Sequence, residues 1–251
     1  MIKKIWITGA SSGIGKALAI KFANEGWQVA ASARREKLLK DLNEQNSNIH
    51  SFPLDVKNET ETKNTFQNII KEFDNVDIAV FCTGMHDPDS EIKLNSEKIR
   101  EIMETNFFGT LNCIMAVNNY FRDKKRGHIS IVSSVAGYRG LPAASGYCAS
   151  KSALTSLAES LYFDFKRHNV RVSLVSPGFI KTPMTDKNKF PMPMIKSPEF
   201  AAEKMFIGLT KKNAFEIHFP IAFTMMMKLL KIMPNWLYFL LVKKGMRTIK
   251  Y

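Results

Sequence analysis

The chain has 251 residues, of which 45% are hydrophobic and 24% are charged. This length suits one α/β domain, and the composition excludes collagen-like and disordered architectures. The formal net charge of +13 favours anionic partners: phosphate groups, nucleic acid or an anionic membrane surface. Three widely spaced cysteines without a C-x-x-C pair predict no disulfide framework and no metal site, and the N-terminus lacks the apolar stretch of a signal peptide. These features favour a cytoplasmic protein.

Short β-like runs alternate with longer helical patterns over about the first 180 residues. The predicted strands are 2–8, 29–32, 49–54, 78–82, 128–134 and 170–176, and the predicted helices are 16–24, 36–44, 60–73, 96–121 and 147–168. Such alternation is typical of βαβ units. The sequence therefore predicts an α/β fold with a doubly wound, Rossmann-like parallel sheet and helices on both faces.

A glycine-rich segment, T-G-A-S-S-G-I-G at residues 8–15, joins the first predicted strand to the first predicted helix. Glycines permit a tight turn and close backbone approach, and the start of the helix offers unpaired N–H groups to a pyrophosphate. The segment predicts a dinucleotide-binding loop, although a glycine turn that only closes a βα unit is the alternative. The candidate contacts are Gly9, Ser11, Ser12, Gly13, Ile14 and Gly15.

The spacing T-G-x-x-x-G-x-G so close to the N-terminus resembles the compact type of the short-chain dehydrogenase/reductase family, and it differs from the commoner G-x-G-x-x-G. The resemblance extends to about residue 184 and includes a Y-x-x-x-K motif at Tyr147 and Lys151. It implies an oxidoreductase that interconverts a carbonyl and an alcohol with a nicotinamide cofactor. It also implies that Asp55 and Val56, which close the third strand, contact the adenine.

The end of the second strand bears on the choice of cofactor. An NAD-binding fold places a carboxylate there, on the ribose 2′-hydroxyl, about 20 residues after the glycines. This chain has Ala33 followed by Arg34 and Arg35. A guanidinium can pair with a 2′-phosphate, so the sequence predicts NADP(H); the alternative is a solvated start of a helix.

The Y-x-x-x-K spacing places phenol and ammonium on one helix face. It occurs three times, because Tyr120 with Lys124 and Tyr162 with Lys166 share it with the family motif. Only the pair at 147 and 151 has a serine thirteen residues before the tyrosine, namely Ser134 at the end of a predicted strand. The other two pairs are therefore interpreted as surface or half-buried helix positions.

With Asn106, these residues resemble the family's Asn-Ser-Tyr-Lys tetrad. The resemblance implies that Tyr147 donates the proton and that Ser134 holds the substrate oxygen. Lys151 would bind the nicotinamide ribose and lower the pKa of the phenol, while Asn106 would hold a water connecting Lys151 to solvent. Taken singly, Ser134 and Asn106 are equally well explained by hydrogen bonds at a strand end and a helix cap.

Two further segments resemble cofactor contacts of the family. Gly84 follows the fourth strand in C-T-G, where the family usually has N-A-G, so the glycine is kept and the asparagine is not. The segment P-G-F-I-K-T after the sixth strand resembles the family's Pro-Gly-x-hydrophobe-x-Thr. Its candidate contacts are Pro177, Gly178, Ile180 and Thr182.

A substrate lid is expected at about 183–200, and its apolar side chains suit a bulky apolar ligand unless they simply pack on the sheet. These side chains are Met184, Phe190, Met192, Met194 and Ile195. His86, Asp87 and Asp89 follow the fourth strand and either face the same pocket or form a polar turn.

The C-terminal segment concentrates the positive charge. Residues 221–251 hold six basic and no acidic residues together with several aromatics, and Pro234 divides them into two short amphipathic pieces. Such a segment suits peripheral contact with the inner face of a membrane, an oligomer contact, or a cover over the pocket. The sequence has no interleaved pattern of aromatic and basic residues of the kind that indicates nucleic-acid binding.

We therefore expect one NADP-binding catalytic domain at 1–215 and a basic, apolar extension at 216–251. The expected activity is NADPH-dependent interconversion of a carbonyl and an alcohol, on a bulky apolar small molecule, by a homo-oligomer. The alternative is a catalytically silent NADPH-sensing or binding protein on the same fold.

Overall fold

Seven strands form the sheet at the centre of the protein: β1 (Lys4–Thr8), β2 (Gln28–Ser32), β3 (Ile49–Ser51), β4 (Ile78–Phe81), β5 (Gly127–Val132), β6 (Val170–Pro177) and β7 (Glu216–Phe219). The computed structural model describes residues 2–188 and 190–246. The strands lie in the order β3-β2-β1-β4-β5-β6-β7, and every neighbouring pair is parallel. The predicted doubly wound fold is confirmed.

Helices cover both faces of this sheet. They are α1 (Gly13–Asn24), α2 (Glu36–Gln45), α3 (Glu59–Phe73), α4 (Pro88–Ile92), α5 (Ser96–Met103), α6 (Gly109–Lys124), α7 (Ser145–Lys166), α8 (Pro198–Thr210), α9 (Ile221–Ile232) and α10 (Asn235–Met246). A π-helical turn at Glu104–Phe108 joins α5 to α6, and 3-10 turns cover Val135–Gly137 and Thr185–Lys187.

The two faces of the sheet have separate apolar cores. Along β1, Ile5 and Ile7 point into the core that α1, α2 and α8 cover, whereas Trp6 points into the core that α3, α6 and α7 cover. All three side chains are fully buried. Burial on both faces explains why the strands read as continuous apolar runs rather than alternating patterns.

The strand order places a crevice beside β1. From β1 the chain first builds β2 and β3 on one side and then crosses over to β4 on the other. Loops that leave the carboxyl ends of β1 and β4 therefore diverge to opposite faces, and ligands of such sheets bind in the gap between these loops. The glycine-rich segment leaves β1 at this point.

Some boundaries differ from the predicted ones. β3 ends at Ser51 rather than at 54, although the N–H groups of Phe52 and Leu54 still donate to the carbonyl oxygens of Ala31 and Ala33. The predicted helix 96–121 is interrupted by the π-helical turn and runs on to Lys124. α8 and β7 were not predicted. Because β7 belongs to the sheet, the helical extension begins after Phe219 rather than at 216.

Candidate active site

Tyr147, Lys151 and Ser134 meet near the carboxyl end of β5. α7 begins at Ser145, so Tyr147 lies in its first turn and Lys151 follows one turn later. Ser134 is the N-cap of the 3-10 turn after β5, and its hydroxyl hydrogen-bonds to the phenol of Tyr147. The Nζ of Lys151 lies 5.7 Å from the centre of the Tyr147 ring. The structure thus brings these three predicted residues together.

The environment of Tyr147 keeps its phenol protonated. Burial raises its pKa to about 12, and the hydrogen bond with Ser134 offsets only part of this increase. The family resemblance implies that the Lys151 ammonium lowers the pKa, but in this structure desolvation outweighs the opposing interactions. A phenol that stays protonated through the neutral range is in the form that a proton donor requires.

Lys151 is 4% exposed and lies at the buried end of the site, beside the ring of Tyr147. Its Nζ donates to the carbonyl oxygen of Val132, at 3.0 Å, at the end of β5. Burial lowers its pKa to about 8. A Cβ added to Gly84 would lie 3.4 Å from this Nζ, so the loop after β4 passes directly beside the ammonium.

Asn106 connects that loop to α7. Its Oδ1 accepts a hydrogen bond from the N–H of Met85 at 2.7 Å, and its Nδ2 donates to the carbonyl of Met85 and the hydroxyl of Ser150, both at 3.0 Å. The residue lies in the π-helical turn, and such wide turns are frequent at functional sites. Asn106 is fully buried, and its Oδ1 lies 3.6 Å from a Cβ added to Gly84.

A buried acid, Glu91 of α4, also supports Tyr147, and the sequence analysis missed it. One carboxylate oxygen accepts a hydrogen bond from the backbone N–H of Tyr147, at 3.0 Å. The other lies 3.2 Å from Nε2 of His86, without the alignment of a hydrogen bond. The His86 ring packs on the Tyr147 ring, with 4.7 Å between centroids. His86 therefore faces the site, which is one of the two interpretations that the sequence allowed for this segment.

We expect Glu91→Ala to lower the free energy of unfolding by about 1–3 kcal/mol, because a buried N–H of α7 loses its acceptor. Glu91→Gln keeps an oxygen acceptor and should cost less than half as much. Urea unfolding of both variants measures the difference, with Glu97→Ala, an exposed acid in the first turn of α5, as the control. Equal stability of Glu91→Ala and the unmodified protein would contradict this role.

The glycine-rich segment forms a cramped loop between β1 and α1. Gly9 and Gly13 have φ of 70° and 55°, which disfavours residues with a side chain. A Cβ on Gly9 would lie 2.8 Å from the carbonyl oxygen of Cys82, and one on Gly15 would lie 2.3 Å from that of Gly9. In the described structure α1 has no acidic residue in its first turn and no side-chain cap, so its first N–H groups remain open to an anion.

The two arginines after β2 differ in their contacts. Arg35 reaches back to the glycine-rich loop, where its guanidinium donates to the hydroxyl of Ser11 at 2.8 Å and to that of Ser12 at 2.6 Å. Arg34 is exposed at the same edge of the sheet. Arg35 therefore borders the loop in which a cofactor phosphate would lie.

Asp55 and Val56 lie in the loop after β3. The Asp55 carboxylate accepts a hydrogen bond from the N–H of Lys57 at 3.1 Å. Val56 is 5% exposed and packs against Gly109 at the start of α6. Its contact with a Cβ on Gly109, at 2.5 Å, shows how closely α6 approaches this loop.

The segment after β6 closes the other side of the crevice. Pro177 ends the strand, and the N–H of Gly178 donates to the carbonyl of Phe219 at 2.8 Å. Ile180 is 2% exposed. The methyl carbon of Thr182 lies 2.9 Å from a Cβ added to Gly13, so the two predicted cofactor segments touch across the crevice.

The two other Tyr-Lys pairs lie elsewhere. Tyr120 accepts a hydrogen bond from the N–H of Val76 at 2.9 Å and from Lys124 at 2.6 Å. Lys166 lies over the Tyr162 ring at 5.5 Å, near the end of α7. Neither tyrosine lines the cavity described next.

A cavity of about 210 Å³ opens in front of Tyr147 and Ser134. Its apolar wall comes from the turn after β5, from the segment after β6 and from α10. The lining residues of this wall are Val135, Ala136, Leu141, Pro142, Ala144, Phe179, Met184, Phe190 and Val242. Of the apolar lid residues named from the sequence, Met184 and Phe190 line the cavity.

The comparisons with known proteins agree with this geometry. A family model described as short chain dehydrogenase matches residues 3–191. The chain belongs to the short-chain dehydrogenase family. An uncharacterized oxidoreductase of Myxococcus xanthus is 34% identical over 236 residues, covering 92% of this chain and 93% of the relative. The predicted family is therefore confirmed, and the chain is an oxidoreductase of this family.

Two other members of the family are similar to this chain. The 3-oxoacyl-[acyl-carrier-protein] reductase FabG of Thermotoga maritima is 28% identical over 223 residues, with 83% of this chain and 91% of the relative covered. The solved structure of ElxO with NADP bound has a TM-score of 0.78 and 25% identity, covering 87% of this chain and 98% of that one.

Proposed function

We propose that the protein is an NADPH-dependent reductase that interconverts a carbonyl and an alcohol on a bulky apolar small molecule. The observation that carries this proposal is that Ser134 and Tyr147 line an apolar cavity together, with the Nζ of the buried Lys151 5.7 Å from the centre of the Tyr147 ring. A silent NADPH-binding protein on the same fold would have no need of a hydrogen-bonded proton donor facing that cavity.

The crevice fits a dinucleotide phosphate. Gly9 and Gly15 have no room for a side chain, and the open N–H groups of α1 suit a pyrophosphate. Arg34 and Arg35 suit a 2′-phosphate, and Asp55, Val56 and Gly84 would line the adenine and nicotinamide ends. Ile180 and Thr182 would hold the carboxamide and phosphates. The NADP in ElxO supports this choice of cofactor.

When bound in this crevice, NADPH would supply the hydride that adds to the carbonyl carbon of the substrate. The developing negative charge on the oxygen needs hydrogen-bond donors and a proton. Tyr147 donates the proton from its hydroxyl, and Ser134 donates a hydrogen bond to the same oxygen. Lys151 would bind the nicotinamide ribose, and its positive charge beside the phenol favours the phenolate left after transfer. Asn106 fixes the loop at Met85 beside Lys151.

The substrate side of the cavity favours an apolar molecule with few polar groups. Its walls are mostly aliphatic and aromatic, and His86 adds an imidazole that packs on the ring of Tyr147. The 3-oxoacyl group named in the relative FabG is a carbonyl compound that such a cavity could accept. We propose small-molecule binding in this cavity by a cytoplasmic homo-oligomer, a dimer or a tetramer.

A turnover screen tests the proposed function. The purified protein is incubated with NADPH and a panel of aldehydes, short ketones and long-chain 3-oxoacyl compounds, and the loss of absorbance of the reduced cofactor is measured. We expect turnover with at least one long-chain carbonyl and little with short ones. Tight binding of NADPH without turnover of any carbonyl, or of any alcohol with NADP, would favour the silent binding protein.

We expect kcat/KM for NADPH to fall as the pH rises above about 8, since this parameter reports the free enzyme. Burial lowers the pKa of Lys151 to about 8, so its positive charge is present below this pH and is lost above it. Tyr147, with a pKa of about 12, stays protonated over the same range. A profile that is flat from pH 7 to pH 10 would contradict the assignment.

A further inference from the structure

The C-terminal helices α9 and α10 pack against the sheet and the turn after β5, and they form part of the cavity wall. The Nζ of Lys228 donates to the carboxylate of Glu216 in β7 at 2.6 Å, which fixes α9 to the edge of the sheet. Phe223 and Met227 are 4% exposed and pack with Val135, directly after the predicted catalytic serine. The inner face of α9 is therefore buried against the core.

α10 is fixed in the same way. Arg139 donates to the carbonyl oxygens of Leu230 at 2.6 Å and Met233 at 2.7 Å, which close the end of α9. Its guanidinium also stacks on the Tyr238 ring at 4.0 Å. Val242, one turn later in α10, lines the substrate cavity. The inner face of the helix pair thus forms one wall of the cavity.

The outer face of the same pair is apolar and exposed in the described structure. In α9 the exposed large side chains follow each other at helical spacing, so that they form one stripe. Half of the large hydrophobic residues that are exposed anywhere in the described chain lie in this pair. They are Ile221 (67%), Met225 (53%), Met226 (46%), Leu229 (53%), Ile232 (77%), Trp236 (69%), Phe239 (63%), Leu240 (59%) and Leu241 (40%).

The positive charge of this segment indicates which kind of partner the outer face binds. Residues 221–251 carry six basic residues and no acidic one. Lys231 and Lys243 are exposed on the two helices, beside the apolar stripe. A second copy of the chain would bring an equal positive charge against this face, which opposes self-association. An anionic bilayer offers the opposite charge together with an apolar interior.

We propose that the outer face of α9 and α10 docks on an anionic lipid bilayer, with its apolar stripe in the interface and its lysines at the headgroups. None of the helices in residues 2–188 and 190–246 is long and apolar enough to cross a membrane, and a helix that lies in the interface does not need to be. Val242 lines the cavity from the inner face of α10, and the bilayer would contact the outer face of the same helix. A substrate dissolved in the lipid would therefore enter the cavity past α10.

Tryptophan fluorescence makes the contact visible. Trp6 and Trp27 are 0% and 8% exposed, whereas Trp236 is 69% exposed on the outer face. A blue shift on adding vesicles therefore reports Trp236 entering an apolar environment. The probe is the full-length protein with mixed phosphatidylcholine–phosphatidylglycerol vesicles at low salt. We expect a blue shift and co-sedimentation, both weaker at high salt and with pure phosphatidylcholine.

Matched variants distinguish binding through the outer face from nonspecific hydrophobic adsorption to vesicles. Met225→Ser/Leu229→Ser removes two exposed apolar side chains from the stripe, and we expect its vesicle affinity to fall by at least about tenfold. Ile2→Ser/Leu94→Ser removes two side chains of similar exposure, 60% and 70%, from other surfaces and should bind as the unmodified protein does. Trp236→Phe should keep binding while losing the blue shift. Thermal unfolding of each variant verifies that it is folded.

Three outcomes would overturn the proposal. The first is that the unmodified protein binds neither type of vesicle. The second is that the Met225/Leu229 variant and the control variant bind equally well. The third is that light scattering shows an oligomer that the Met225/Leu229 variant dissociates, without any vesicle binding, in which case the face joins copies of this chain. All three are independent of whether the protein turns over a carbonyl.

Discussion

Tyr147→Phe should reduce turnover by about 10²–10⁴-fold while leaving the affinity for NADPH nearly unchanged. The change removes one hydroxyl, which is both the proposed proton donor and the partner of Ser134, and a positioned general acid is worth about this factor. The ring and its packing on His86 remain. Steady-state rates on the best substrate of the screen, with fluorescence titration of NADPH, measure the two effects separately.

Tyr120→Phe is the matched control, because Tyr120 has the same Y-x-x-x-K spacing but lies away from the cavity. Its phenol accepts a hydrogen bond from Val76, so this variant should lose some stability and no activity at a temperature where it is folded. Full activity in Tyr147→Phe, or an equal loss in the two variants, would rule out Tyr147 as the proton donor.

NADPH should bind more tightly than NADH, and Arg34→Ala should reduce this preference by roughly 10–100-fold. A charge-assisted contact with the 2′-phosphate contributes about 1.5–3 kcal/mol, which corresponds to that factor. Arg35→Ala is expected to weaken both cofactors, since Arg35 also holds the hydroxyls of Ser11 and Ser12 in the glycine-rich loop. Dissociation constants of the two cofactors for each variant provide the measurement.

Lys40→Ala controls for the loss of one positive charge, because Lys40 is exposed on α2 and pairs with Glu36 rather than facing the loop. It should leave the ratio of the two dissociation constants unchanged. If the unmodified protein binds NADH as tightly as NADPH, the prediction from Ala33, Arg34 and Arg35 fails.

Local patterns were sufficient to predict most of the fold. The strands are apolar on both faces, so each stands out as a short continuous run, and the turn residues between them mark the ends. The glycine-rich loop could be recognised because every part of it is contiguous. Tyr147 could be separated from Tyr120 and Tyr162 because its context, a strand-end serine thirteen residues earlier, is also readable along the chain.

What the sequence did not reveal depends on contacts between distant segments. Glu91 meets the N–H of Tyr147 across 56 positions, and in the sequence it is one of two acids on a five-residue helix. β7 has only four residues, E-I-H-F, and becomes a strand because β6 offers it an unpaired edge. The raised pKa of Tyr147 likewise follows from burial, which motif spacing does not report.

The strand order also determines when the cofactor crevice can exist during synthesis. β1 and the glycine-rich loop are synthesised well before the neighbouring strand β4, which begins at Ile78, and Tyr147 and Lys151 follow more than 60 residues later. Pairing at such sequence separations is slow, because the connecting chain must first be ordered. No N-terminal fragment that ends before α7 contains both the glycine-rich loop and the proposed proton donor Tyr147. Such a fragment also lacks Lys151 and the edge strands β6 and β7, so the site cannot be completed before most of the sheet has been made.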